Sequence, residues 1–174
     1  MDRNIWVISD THFNHTNIIN YCDRPFNSTK HMNEMLVSNI NEVVKENDIL
    51  YHLGDVYFNG SNEELNQTWY GKLHGRKRLV LGNHDNGKDQ KLNAMFAKIT
   101  VWRLFSEFGL LLTHVPVHET SLYRGKTGNE KDPKKLLNVH GHIHTSKSPS
   151  SDHKCVCVEQ TNYYPVNIED LRVW

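Results

Sequence analysis

Ile5-Trp6-Val7-Ile8-Ser9-Asp10-Thr11-His12 is an apolar run that breaks into a polar turn carrying a carboxylate and an imidazole two residues apart. The pattern recurs along the chain. Ile49 to Leu53 gives way to Gly54-Asp55, and Arg78 to Leu81 gives way to Gly82-Asn83-His84-Asp85. Leu110 to Thr113 leads to His114, and Leu136 to Val139 leads to His140-Gly141-His142-Ile143-His144. Short runs rich in β-branched and apolar residues, bounded by turn formers, read as strands. Thr100 to Phe105 and Cys155 to Val158 read the same way.

Helical spacing appears between these runs. Met32, Met35, Leu36, Ile40, Val43 and Val44 fall on one helix face, and Ser61-Asn62-Glu63-Glu64 resembles a capping box opening a helix toward Leu73. A third short helix is expected over Asp89 to Ala97. Strands alternating with helices in the first hundred residues suggest βαβ units, whereas the later strands follow one another without helices and look antiparallel. The expectation is a mixed α/β fold. No internal period and no Pro/Gly-rich linker divides the chain, so residues 1–174 are expected to form one domain. In open α/β sheets, sites form at the carboxyl ends of the strands, where these polar groups sit.

Lys plus Arg and Asp plus Glu both total 20, so no broad field gathers nucleic acid or anionic membrane. Any attraction for an anion is local. Twelve histidines are a high count for 174 residues, and metal ligation is the first explanation to test. Cys22, Cys155 and Cys157 form neither a disulfide framework nor zinc-type pairs and read as reduced thiols. The start of the sequence shows neither a basic leader nor a long apolar segment, which makes a cytoplasmic protein the expectation, without a membrane partner.

Each polar turn alone is weak evidence. Asp10-Thr11-His12 can point two ligands at one ion or be a solvated turn, and Asp55 has two oxygens to offer to two neighbouring ions. Gly82-Asn83-His84-Asp85 is more specific, because an amide oxygen, an imidazole and a carboxylate follow a glycine. Three histidines in five residues, with His142 and His144 flanking Ile143, form a strong ligand signature. Together, five turns at strand ends point to one metal site. Its nitrogen and oxygen donors suit Mn, Fe, Ni, Co or Zn and argue against Cu(I) or iron–sulfur clusters.

In their order, Asp10-Thr11-His12, Gly54-Asp55, Gly82-Asn83-His84-Asp85, His114 and Gly141-His142-Ile143-His144 resemble the signature of the calcineurin-like metallophosphoesterase superfamily. Size and the Asp-Thr-His-Phe-Asn-His opening resemble especially its small single-domain bacterial and phage members. The resemblance implies a mixed β-sandwich flanked by helices in four layers, and a bacterium or phage-infected cell as the setting. It also implies two divalent transition-metal ions, manganese first among them. One would be held by Asp10, His12, Asp55 and His144, the other by Asp55, Asn83, His114 and His142, with Asp55 as the bridge. His84 would stabilise charge at phosphorus or protonate the leaving oxygen, oriented by Asp85.

Substrate contacts are less determined. His15 is either a phosphate contact or a loop brace, and Arg24 either meets a nonbridging oxygen or belongs to a packed turn. The long stretch from Val115 to Lys135, with Arg124, Lys126, Lys131, Lys134 and Lys135, either shapes the substrate pocket through Tyr123 or Arg124 or is a solvated face. His52 braces the site or fills the core, and His140 reads as a packed sheet residue. The favoured activity is dinuclear-metal hydrolysis of a phosphodiester in a small nucleotide-type substrate. A phosphomonoesterase is the runner-up, and a non-catalytic binding scaffold of the same fold is the reading from another class. Duplex nucleic acid is not expected as a partner, since no extended basic stripe is present.

Overall fold

The computed structural model describes residues 3–58, 70–123 and 135–173. The helix expected from Ser61 and the candidate contact Arg124 lie outside the described residues. Among the described residues, nine strands form two mixed sheets flanked by helices. In chain order the elements are β1 (Ile5–Ile8), α1 (Thr16–Tyr21), α2 (Thr29–Val43), β2 (Ile49–His52), β3 (Arg76–Val80), α3 (Gln90–Met95), β4 (Lys98–Thr100), β5 (Trp102–Phe105), β6 (Leu110–Thr113), β7 (Leu137–His140), β8 (His153–Cys155) and β9 (Val166–Asn167). The first sheet has the order β4-β3-β2-β1-β9 and the second β5-β6-β7-β8.

Period-2 alternation distributes each strand's side chains to two cores. Ile8, Leu50 and Leu79 point outward to meet Ile18 of α1, Met32, Leu36 and Ile40 of α2 and Leu92 of α3. Their neighbours Val7, Tyr51 and Val80 point inward to Phe105, Leu110, Leu112 and Val139 of the second sheet. The helices start where local chemistry allows it. Ser28 accepts a hydrogen bond from the amide of His31 at the head of α2, and Asp89 accepts one from that of Lys91 at the head of α3.

Two expectations about strands need correction. β6 pairs with β7, and β7 with β8, in parallel rather than antiparallel; among the named strands, β5–β6 and β1–β9 are the antiparallel pairs. Residues 114–136 and 141–152 are long enough for the crossover that a parallel pair needs, which a two-residue hairpin is not. The run Thr100 to Phe105 is two strands in different sheets, broken at Val101, which bends and lies 69 % exposed. Both halves have strand composition, so only the pairing reveals the break. Cys155 to Val158 likewise leaves its strand at Cys155 and enters a 3-10 turn over Val158–Gln160.

The sheets meet at one edge. Ser9, just past β1, bridges in parallel to Cys157, just past β8, and the Val156 amide reaches back to the carbonyl of His140 at 2.8 Å. The carboxyl ends of β1, β2, β3, β6 and β7 therefore deliver their loops to a common rim.

Candidate metal centre

Hydrogen bonds stitch those loops together before any side chain is considered. The Asp10 amide donates to the Gly54 carbonyl at 3.0 Å, that of His12 to Asp55 at 3.1 Å, and that of Gly141 to His114 at 2.8 Å. Such close passage needs missing side chains. A Cβ on Gly82 would run into the Asp55 carboxylate, and one on Gly141 into Ser9 and Asp10. Asp10, His12, Asp55, His142 and His144 all adopt left-handed backbone conformations, with φ of 58°, 48°, 55°, 71° and 48°. Non-glycine residues rarely do so, and each costs on the order of 1–3 kcal/mol that surrounding contacts must offset.

The side chains converge as a set of lone pairs. His114 Nδ1 donates to the Leu53 carbonyl at 2.7 Å, which leaves Nε2 unprotonated in the neutral ring. That nitrogen sits 2.8 Å from Asn83 Oδ1 and 3.5 Å from Asp55 Oδ2, both acceptors. His142 Nδ1 lies 2.8 Å from the same Asn83 oxygen. On the other side, His144 gives its Nδ1 proton to Glu159 at 2.9 Å, so its Nε2 lone pair faces Asp10 Oδ1 at 3.7 Å. His12 Nε2 stands 3.9 Å from Asp10 Oδ1 and 3.6 Å from Asp55 Oδ2. Asp10 Oδ1 and His12 Nε2 are fully buried without a hydrogen-bond partner. Buried acceptors facing acceptors are costly unless a cation lies between them, so the residues present fit divalent ions.

Asp55 occupies the middle. Its Oδ1 accepts the His84 amide at 2.9 Å, leaving Oδ2 nearly equidistant from His12 and His114. The sequence suggested one Asp55 oxygen per ion; the structure instead presents a single oxygen to both sides. Burial pushes the Asp55 carboxyl up, but the hydrogen bond and charge of His114 and the His84 amide outweigh it and hold it well below the usual carboxylate range. Burial takes the His12 imidazole down to about 3, against the opposing pull of Asp55, so it is neutral and ready to ligate. For Asp10, burial dominates and raises the carboxyl despite His114, Ser9 and His144 nearby.

The next layer contains the misreadings and the residues that sequence did not reveal. Arg24 was open as a phosphate contact, but it is buried and its guanidinium is already engaged. It donates to the carbonyls of Asp10 and Thr11 at 2.8 and 2.9 Å and to Glu159 at 2.7 and 3.0 Å. Arg24 thus holds the first metal loop from behind and presents no free donor to substrate. Asp85 does not orient the His84 ring. Its carboxylate accepts the amides of Asp55, Val56 and Gly82 at 2.8, 3.1 and 2.8 Å, fixing the turn that aims Asp55. Glu159 was missed, since a single acid beyond a strand end has no motif, yet it joins His144 to Arg24.

His52 braces the rim: its Nδ1 accepts the Gly54 amide at 3.1 Å and its Nε2 pairs with Thr11 Oγ1 at 2.8 Å. His140 is buried, joining the Gly141 carbonyl and Ser148. His15 lies beside the centre, its Nδ1 3.4 Å from that of His12 and its ring stacked on Phe58 with centroids 4.3 Å apart. His84 is exposed, with its ring edge-on to His12 at 5.9 Å. Tyr123 bridges to Lys135, whose ammonium lies over its ring.

A site built for divalent cations on the carboxyl rim of two mixed sheets defines the class, and comparison with known proteins supplies the family. A model of the calcineurin-like phosphoesterase family matches residues 3–171, and the chain belongs to that family. It is therefore a metal-dependent phosphoesterase. An uncharacterized protein of Methanocaldococcus jannaschii is 32% identical over 179 residues, covering 96% of this chain and 88% of that protein. The Gene 66 protein of Mycobacterium phage L5 is 26% identical over 163 residues, covering 82% of this chain and 78% of its own. A solved structure of a protein of unknown function from Aquifex aeolicus matches with a TM-score of 0.75 at 27% identity, covering 98% of both chains.

Proposed function

We propose that this chain is a phosphodiesterase for small nucleotide-type esters, working as one domain over residues 1–174. Asp10, His12, Asp55 and His144 would hold one ion, and Asp55, Asn83, His114 and His142 the other. Bound there, the ions supply Lewis acidity and charge neutralisation at the phosphate oxygens. The all-nitrogen-and-oxygen donor set favours manganese, with Fe, Ni, Co or Zn as substitutes. No helix among the described residues is long and apolar enough to cross a membrane. We take the protein to act in the cytoplasm on a small-molecule substrate, without a duplex or membrane partner.

One observation favours a diester over a monoester. Two openings beside the centre, one lined by Asn83 and His114 and the other by His84, have no Lys or Arg among the described residues that line them. Arg24, the cation behind the first loop, is used internally. A diester carries one negative charge, whereas a monoester near neutral pH carries close to two and asks for further donors at its terminal oxygens. His84, exposed beside His12, would give a proton to the departing oxygen, a role its place at the rim supports. His15, beside the first set of ligands, is offered as a second phosphate contact.

Metal-reconstituted protein, assayed on p-nitrophenyl phosphate and bis(p-nitrophenyl) phosphate and on linear and cyclic nucleotides, tests this reading. The expected result is faster turnover of diesters, abolished together with any background by chelation. Preference for the monoester would replace the reading with a phosphomonoesterase, and no turnover at full metal occupancy would leave a binding scaffold.

A further inference from the structure

The break at Val101 has a consequence beyond topology. It carries the chain from the first sheet to the second directly beside the rim, and leaves Trp102 at the start of an edge strand. A cavity of about 610 Å3 opens there. Val101, Trp102, Leu111 and Val115 form its apolar wall, and Asn83 and His114, from the second set of ligands, form its polar end. Trp102 and Val115 remain 58 % and 45 % exposed. Large apolar side chains left open beside a charged centre are uncommon in a solvated surface and mark a binding site.

We propose that this cavity takes the planar base of a nucleoside substituent carried by the phosphate at Asn83 and His114, stacked on Trp102. The proposal rests on the site reading above and deepens it. The volume falls in the range of small-ligand pockets, about 300–1,000 Å3. Continuity with the metal ligands fixes which end holds phosphate. The wall also says what the subsite ignores. Thr113 is the side-chain hydroxyl in it, and its Oγ1 already donates to the Val115 carbonyl at 2.6 Å and accepts from Asn138 at 2.9 Å. With no free polar side chain among the described residues of the apolar wall, the base is held by its face, so purines and pyrimidines are taken alike.

Equilibrium titration of metal-loaded His84→Ala protein with adenosine 5′-monophosphate, thymidine 5′-monophosphate and methyl phosphate tests this without relying on turnover. Stacking on an aromatic side chain predicts that both nucleotides bind on the order of ten- to a hundredfold tighter than methyl phosphate. Adding Trp102→Leu should erase that gain, while Trp102→Phe should keep most of it. Equal affinity for all three ligands would overturn the proposal, as would a gain for one base only or a gain that survives Trp102→Leu. A dimer that Trp102→Leu converts to monomer on gel filtration would overturn it too, by making this face a contact between copies of the chain. Failure on diesters with a Trp102-dependent nucleotide gain would refute the phosphodiesterase reading and leave the cavity's assignment standing.

Discussion

Replacing Glu159 by Ala removes the carboxylate that ties the His144 ring at the metal rim to the buried cation Arg24. Glu159 Oε1 accepts two Arg24 hydrogen bonds, at 2.7 and 3.0 Å, and the His144 Nδ1 proton at 2.9 Å. Both ends of the Arg24–Glu159 pair are almost wholly excluded from solvent. Breaking a buried pair by deleting one partner costs about 3–5 kcal/mol, because the other charge is left uncompensated. With a urea slope of about 2 kcal/mol/M, the unfolding midpoint of the metal-free protein should fall by roughly 2 M. The same deletion frees the His144 ring, and loss of a carboxylate behind a ligating imidazole typically weakens metal affinity by about 10–100-fold. Urea denaturation of the apo protein and competition with a chelator read the two effects separately. Burial pushes the Glu159 carboxyl up, but His144 and Arg24 outweigh it and set it at about 2. Its contribution is therefore present above the ordinary value of 4.5 and fades as pH falls through 2, so the variant should lose stability at pH 7 and little near pH 2. An unchanged midpoint together with unchanged metal affinity would refute the reasoning.

Three further outcomes follow from the same contacts. Replacing His84 by Ala should leave metal content intact while lowering kcat by about 10²–10⁴-fold, and normal turnover would remove His84 from the mechanism. His52, fully buried, is held down to about 3 by burial, against Asp55, from an ordinary 6.5. Since the unfolded chain takes up that proton first, apo-protein stability should decline as pH drops from 6.5 toward 3, which a pH series of denaturation midpoints checks. Gly141→Ala would thrust a methyl into Ser9 and Asp10, so metal analysis should show weakened binding with the helices still formed by circular dichroism.

The residues that gather at the rim were visible because each is a metal-capable type placed at a strand end. That ground marked the five turns as one site, and the family resemblance chose Asp10, His12, Asp55, Asn83, His114, His142 and His144 among their residues as ligands. What supports them was not legible. Arg24 and Glu159 lie 135 positions apart, and neither has a local pattern that announces the other. Asp85 follows His84 in sequence, yet its oxygens turn to three backbone amides, a choice made by the turn and not by adjacency. Strand composition located the elements, but direction depends on the path of the connections, and so β6, β7 and β8 were misjudged. The Val101 break separates two runs of identical character, and it hid the cavity beside Trp102.

The most direct test of the account is the metal content of Asp55→Ala after reconstitution with manganese, measured by elemental analysis beside the parent chain. Asp55 Oδ2 faces both sets of ligands, at 3.6 and 3.5 Å from His12 and His114. The parent should hold two ions per chain, and the variant should lose both together along with phosphoester hydrolysis. Two ions retained by Asp55→Ala, or activity in its absence, would contradict a centre built around that single oxygen.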